Sequence, residues 1–221
     1  YACRLAAGRD IFPCVALVVS EGHTLLFDCP GPLELRVLGS TLDDAAGEAF
    51  DKVAALLGLG FPGGPAVERE AAGGNSTAFR FPRSFLHDDR LDFSFSGLKT
   101  AVLYACFGQD GKSPLSLPPG RTRPDVAASF QQAVIDVLVE KARRALRRTG
   151  LKRLAVGGGV AANRPFRAAL ERMAADEGAE LFIPPLALCT DNAAMAAQAV
   201  EKWRRRLWAP PDLDARPNYG A

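Results

Sequence analysis

The sequence predicts an α/β protein of two lobes around a cleft, with ligands gathering where loops leave the strand ends. Three observations predict it. Residues 154–156 form a short β-type run that ends in Gly157-Gly158-Gly159, and a helical pattern opens at Pro165. Cys14–Val19, 24–27 and 34–38 read as three strands of a meander, separated by the turns Ser20-Glu21-Gly22-His23 and Pro30-Gly31-Pro32. Between the meander and the glycine turn lie stretches of helical period, so strands and helices alternate around glycine turns.

In chain order, residues 1–7 read as the tail of a helix closed by Gly8. Cys14–Val19 is continuously apolar and largely β-branched, as a buried strand requires. After the meander, Ser40 or Thr41 is placed to cap a helix with Asp43 and Asp44 in its first turn, where the dipole favours acids. Ala46, Phe50, Val53, Ala54 and Leu57 form its apolar face, and Gly58 or Gly60 stops it. Phe61-Pro62-Gly63-Gly64-Pro65 reads as a turn and 73–95 as loop. A helix over 96–106 carries Leu98, Ala101, Val102 and Ala105 on one stripe, and a Pro/Gly/Ser loop follows to residue 123. Pro124 opens the longest helix, with Val126, Phe130, Val134, Val137 and Leu138 inward and Gly150 as its stop. Phe166, Ala169, Leu170 and Met173 mark the helix after the glycine turn, which ends near Gly178 and leads to a short strand at 181–183. Thr190 or Asp191 can cap a last helix bearing Ala194, Ala197 and Val200, before a Pro-rich tail from Trp208.

The totals exclude several classes. Hydrophobic content of 48% is ample for a core, and a net charge of +2 creates no global field that demands nucleic acid. The five cysteines are scattered without Cys-x-x-Cys, which reads as reduced thiols rather than a disulfide scaffold or zinc site. No apolar stretch reaches membrane-spanning length, so no membrane partner is expected. Tyr1 opens partway along an element, so the chain reads as a piece of a longer protein.

Four polar turns carry candidate chemistry. Strand, glycine turn and helix together form an anion site in many α/β folds, although 157–159 matches neither Gly-x-Gly-x-x-Gly nor a P-loop and equally serves as a tight turn. Glu48 and Asp51 share a helix face and can hold ribose hydroxyls or a metal, or stand as a solvated pair beside Lys52. Asn163 can bind an anion or base, or cap the following helix; Asp191 has the same two readings. His23 and His87 are the only histidines, too few for a metal site of three or four side chains. The run Lys141, Arg143, Arg144, Arg147, Arg148, Lys152, Arg153 reads as a solvated face or as a phosphate footprint on the scale of a tRNA, to which Arg204-Arg205-Arg206 would add.

Taken together and in order, Val19-Ser20-Glu21-Gly22-His23-Thr24, Asp43-Asp44-Ala45-Ala46-Gly47-Glu48-Ala49-Phe50-Asp51-Lys52, Pro62-Gly63-Gly64-Pro65, Phe93-Ser94-Phe95-Ser96-Gly97-Leu98-Lys99-Thr100, Gly158-Gly159-Val160-Ala161-Ala162-Asn163-Arg164 and Cys189-Thr190-Asp191-Asn192-Ala193-Ala194-Met195 resemble the bacterial tRNA adenosine threonylcarbamoyltransferase family, once labelled O-sialoglycoprotein endopeptidase or glycoprotease. The resemblance implies a two-lobed actin-like, Hsp70-like ATPase fold of the ribonuclease-H-like class, here with its N-terminal lobe incomplete. Residues 1–40 would be the remainder of that lobe, 41–190 the second lobe with a helical insertion, and 191–221 a helix and tail returning to the first. It implies transfer of a threonylcarbamoyl group from threonylcarbamoyl-AMP to N6 of the adenosine 3′ to the anticodon, in tRNAs reading codons that begin with A, in the cytoplasm.

By motif match, Val18, Val19, Ser20, Glu21 and Gly22 would embrace the adenylate, Asp51, Gly64 and Asn163 would contact its adenosine part, and Asp191 would ligate a divalent metal, iron or zinc. The other metal ligands, a pair of histidines, are expected upstream of residue 1, so this chain alone is expected to be inactive. A paralogous dimerisation subunit and a small ATPase subunit are the implied partners beside tRNA. Glu21 departs from the family's paired glycines and puts a carboxylate beside the phosphate site. Two alternatives stay open: a non-catalytic assembly subunit, and a sugar kinase or ATPase of the same fold.

Overall fold

Five strands form one sheet in the order β3-β2-β1-β4-β5. They are β1 Cys14–Val19, β2 Thr24–Gly31, β3 Glu34–Ser40, β4 Arg153–Gly157 and β5 Glu180–Phe182 in a computed structural model that describes residues 1–108, 111, 116–190, 192–210 and 212. The first three make the expected antiparallel meander, β4 runs parallel to β1, and β5 runs parallel to β4. β2 continues through Pro30, which lacks a donor for the ladder; the β2–β3 register shifts between Asp28 and Gly31, where such a residue is tolerated. The division expected at residue 40 falls at the end of β3, within a sheet whose remaining strands come from 153–182.

β1 is apolar on both faces because both are covered. Val15, Leu17, Val19 and Leu26 join the larger core with Phe50, Phe93, Phe95, Phe130 and Leu138. Cys14 faces the other way, into a smaller cluster with Cys3, Ile11, Phe27, Cys29 and Phe182 beneath helix α1, Ala2–Ala7. Cys14 and Cys29 are direct cross-strand partners, and all five thiols are free and buried.

Helix α2, Ala46–Leu56, starts well after the caps read from sequence. Ser40 is still in β3, and Thr41 donates its N–H to Thr24 O at 2.9 Å. The helix start is capped from the β1–β2 hairpin instead: Ala46 N–H donates to Thr24 Oγ1 at 2.9 Å, Gly47 N–H to Ser20 O at 3.1 Å and Glu48 N–H to Glu21 O at 3.2 Å. Helix α3, Gly63–Ala71, occupies a stretch whose glycines and prolines read as a turn. Its first turn tolerates Pro65, because donors there lack helical acceptors in any case, and Asp51 Oδ1 accepts the Gly63 N–H at 2.7 Å.

Helices α4, Ser96–Phe107, α5, Arg123–Thr149, and α6, Arg164–Glu177, lie close to where periodicity places them. The expected last helix is a 3-10 turn over Ala193–Ala197 followed by α7, Gln198–Arg204.

Most cations of the basic run along α5 and just after it are tied to neighbouring groups, while Arg147 and Arg148 are exposed, which favours the helix-face reading over the phosphate footprint. Lys141 is 0% exposed and donates Nζ to Phe85 O and Arg90 O. Arg144 donates to Leu86 O and Asp88 O, Arg147 pairs with Glu177, Lys152 donates to Glu177 O, and Arg153 donates to Phe12 O. Burial first of all pulls the Lys141 ammonium below its ordinary 10.5, against the attraction of Asp88.

Asp43 organises the start of α4 from outside it. Its carboxylate accepts from Ser94 Oγ at 2.6 Å, Phe95 N–H at 2.8 Å, and Ser96 N–H and Oγ at 3.1 and 2.9 Å. Burial pushes this carboxyl up, but the donors outweigh it and hold it below its ordinary 3.8. A depressed carboxylate contributes stability that is complete above the unfolded pKa and lost as pH falls through the folded one. Asp43→Asn is therefore expected to flatten the acid limb of stability against pH, below about pH 4, in denaturant titrations. An unchanged acid limb would remove Asp43 from this role.

Candidate functional site

A cleft of about 710 Å³ opens where β1 and β4 end. The parallel register sets Val18 beside Gly157, so the loop after β1 and the glycine turn after β4 leave the sheet side by side. Ser20, Glu21, Gly22 and His23 line one wall, and Gly157, Gly158 and Gly159 the next. The hairpin loop is closed on itself: Ser20 N–H donates to His23 O at 2.8 Å, and His23 N–H to Ser20 Oγ at 3.1 Å.

Gly158 holds the two walls together. Its φ is +98°, and a Cβ there would lie 2.2 Å from Val19 O. Gly157 and Gly159 have open space where a Cβ would stand, so a ligand can approach their backbone closely. Gly47 is similarly committed, its Cβ position lying 2.6 Å from Ser20 O. Since α2 gives its first N–H groups to Ser20 and Glu21, its positive end is already engaged, and the anion-accepting backbone of the cleft is the glycine turn.

The residues singled out from sequence divide into groups. Val18, Ser20, Glu21 and Gly22 line the cleft, whereas the Val19 side chain is buried in the core and its carbonyl abuts Gly158. Asp51, Gly64 and Asn163 lie outside the lining of this cleft. Glu48 and Asp51 have separate duties: Glu48 pairs with Lys52 at 2.8 Å, which draws its carboxyl below the ordinary value, and Asp51 holds the start of α3. Asn163 is buried and caps α6, accepting from Phe166 N–H at 2.9 Å while its amide donates to Gln131 Oε1 at 2.8 Å. Glu68 of α3 accepts the Arg164 N–H at 3.3 Å, which ties the starts of α3 and α6. Asp191 lies outside the described residues, although its neighbour Thr190 reaches the cleft wall.

Arg167 is a site-building residue that the sequence pattern hid within the α6 stripe. It donates Nε to Ala161 O at 2.6 Å, and one terminal nitrogen to Pro184 O at 2.8 Å and Cys189 Sγ at 3.1 Å. It thus ties the glycine-turn segment to the segment that leads to Thr190. Arg167→Ala is expected to cost about 2 kcal/mol, the range for charged hydrogen bonds to buried acceptors, in chemical denaturation. A loss under about 0.5 kcal/mol would show a solvated residue instead.

Among the described residues, no group of three or more His, Cys, Asp or Glu side chains is placed to hold a metal ion. Asp191, the ligand that the resemblance implies for iron or zinc, is not among them. Nor is any described helix long and apolar enough to cross a membrane.

A family model described as tRNA N6-adenosine threonylcarbamoyltransferase matches residues 1–198. The chain belongs to that family. The tRNA N6-adenosine threonylcarbamoyltransferase of Rhodopirellula baltica is 50% identical over 229 residues, covering 98% of this chain and 64% of the relative. That of Syntrophotalea carbinolica is 50% identical over 209 residues, covering 94% of this chain and 60% of the relative. The chain thus spans less than two thirds of the length of these threonylcarbamoyltransferases.

Among solved structures, full-length HypF in its phosphate- and nucleotide-bound form aligns with a TM-score of 0.68 at 14% identity, over 94% of this chain and 35% of that one. The activator of the 2-hydroxyisocaproyl-CoA dehydratase from Clostridium difficile with bound ADPNP aligns with a TM-score of 0.52 at 14% identity, over 96% and 69%. At these identities the likeness shows the fold alone, the actin-like fold that the motifs of the threonylcarbamoyltransferase family imply.

Proposed function

We propose that this chain holds the adenylate of threonylcarbamoyl-AMP between the β1–β2 loop and the glycine turn, for transfer of the threonylcarbamoyl group to N6 of the tRNA adenosine 3′ to the anticodon. The observation that carries the reading is the side-by-side exit of the two loops, with Gly157 and Gly159 open to the cleft. In the transfer, the adenosine amine forms a bond to the carbamoyl carbon, the bond from that carbon to the phosphate oxygen breaks, AMP leaves with the bonding electron pair as its phosphate anion, and the proton lost from N6 passes to water. Main-chain N–H groups of the glycine turn would stabilise that charge without reorganising. Asp51 spends Oδ1 on Gly63, which leaves Oδ2 for a hydroxyl of the adenosine.

Asp191 as a metal ligand, the paralogous subunit and the small ATPase subunit belong to the same proposal, as does a cytoplasmic site of action. No observation of their own favours the assembly-subunit or sugar-kinase readings.

Calorimetric titration with a non-hydrolysable threonylcarbamoyl-AMP analogue tests the reading. Saturable one-to-one binding is expected. Glu21→Gly should tighten it up to about tenfold by removing a carboxylate near the phosphate, and lower salt should widen the difference. Asp51→Asn keeps an acceptor for Gly63 and should weaken binding about tenfold. No binding by the parent chain would sink the proposal, while equal affinities of the parent and both variants would remove Glu21 and Asp51 from the site.

A further inference from the structure

Helix α7 and the reversal after it present a different surface from the paired cations of α5. Its inner side is anchored where Arg4 of α1 donates to Glu201 Oε1 at 2.8 Å. Its outer side is cationic and aromatic. Lys202, Arg204, Arg205 and Arg206 are all exposed, and Trp203 and Trp208 are 65% and 69% exposed. Arg206 takes the left-handed conformation with φ 54°, and the Leu207 N–H donates back to Lys202 O at 2.9 Å. This closure of the helix end makes the chain turn back, so that both indoles project from the last turn and its reversal. Glu201 faces inward and reaches Arg204 only at 3.9 Å; among the described residues, Lys202, Arg205 and Arg206 have no carboxylate partner.

Two exposed indoles among exposed cations are poorly placed for water and well placed for unpaired nucleotides. An indole face stacks on any base, a guanidinium holds a phosphate or stacks as well, and single-stranded RNA offers both at once. We propose that this face, Lys202 to Trp208, is an RNA-contact surface that takes the unpaired loop of the tRNA anticodon arm. Trp203 and Trp208 stack on splayed bases, while Lys202, Arg205 and Arg206 hold the backbone phosphates. The inference rests on the reading that tRNA is the substrate, and it adds where and how this chain grips it.

Trp203 and Trp208 are the chain's two tryptophans, so their emission reports on this surface directly. The 221-residue chain is titrated with the anticodon stem-loop of a tRNA reading codons that begin with A, at several salt concentrations. The stem-loop should quench the emission saturably, and affinity should fall as salt rises. Joint substitution Lys202→Gln, Arg205→Gln and Arg206→Gln should reduce the slope of log affinity against log salt by about two, three phosphates at roughly 0.7 each. Trp203→Ala should weaken binding roughly tenfold, and a blunt duplex of the same length should bind less well than the stem-loop.

Arg205→Gln alone guards against misfolding, since Arg205 is exposed and has no carboxylate partner among the described residues: it should leave the thermal transition in place and lower the slope by less than one. An unchanged slope in the triple variant, or unchanged affinity in Trp203→Ala, overturns the proposal. So does the opposite pattern, in which Trp203→Ala leaves RNA affinity intact but abolishes concentration-dependent self-association, because the face is then an apolar protein contact. RNA binding through this face by a chain that does not bind the threonylcarbamoyl-AMP analogue would count against the proposed reaction and leave the surface standing.

Discussion

Gly158→Ala is expected to disable both the fold of the cleft and its ligand site. A Cβ on Gly158 would sit 2.2 Å from Val19 O and 2.6 Å from Val19 C, which are backbone atoms of β1 with no rotamer to escape into. The residue would also have to hold φ near +98°, where side chains cost about 1–3 kcal/mol. The turn must therefore move away from β1, and the juxtaposition of Val18 with Gly157 is lost. A loss of about 3 kcal/mol or more is expected, against a typical domain stability of about 5–15 kcal/mol, together with a fall of roughly a hundredfold in adenylate affinity. Gly159→Ala is the control, since nothing lies within 4 Å of its Cβ position and its φ is ordinary. Its stability should change by less than about 1 kcal/mol, while its methyl group enters the cleft and lowers affinity. Equal stability losses in the two variants would refute this account of the turn.

Lys141→Met is the second large effect. Methionine keeps most of the side-chain volume and removes the charge. It leaves Phe85 O and Arg90 O without the donor that holds the 85–90 segment against α5. The two acceptors are only part-buried, so losing their shared donor costs about 1–2 kcal/mol each, and a loss of about 2–4 kcal/mol is expected. The pH dependence has a definite sign. Because burial holds the folded-state pKa of Lys141 below 10.5, the unfolded chain binds more protons between the folded and unfolded values, and stability rises with pH across that window. The parent should therefore gain stability relative to Lys141→Met as pH climbs toward 10.5. Urea unfolding of both proteins across that range measures the difference; a gap that narrows would contradict a depressed lysine.

Much of this was legible in the sequence wherever the signal was local. The β1–β2 hairpin, the glycine turn and α6 follow from apolar runs and turn residues within a few positions of one another. The start of α2 was not, because its N–H groups are accepted by Thr24, Ser20 and Glu21, more than twenty residues earlier in the chain. α3 was hidden because its helix start depends on Asp51, across a turn that reads as loop. The cations of α5 read as a possible phosphate footprint because their acceptors are mostly main-chain carbonyls, such as Phe85, Leu86 and Asp88, that no residue pattern marks. For the site, the motifs located Ser20, Glu21, Gly22 and the glycine turn together, and Asn163 as the cap of α6 was one of its two readings, but nothing local marked Asp51 as the acceptor that holds the start of α3.

The function proposed for this chain is to hold the adenylate in a tRNA threonylcarbamoyl transfer. Its most direct test exchanges the matching segment of the Rhodopirellula baltica relative, 50% identical over 229 residues, for this chain. The folded chimera is then incubated with threonylcarbamoyl-AMP and tRNA, and the digested nucleosides are weighed by mass spectrometry. Threonylcarbamoylated adenosine should form, and Gly159→Ala within the exchanged segment should reduce it while the thermal transition stays in place. A chimera that folds like the relative yet yields only unmodified adenosine would contradict the account.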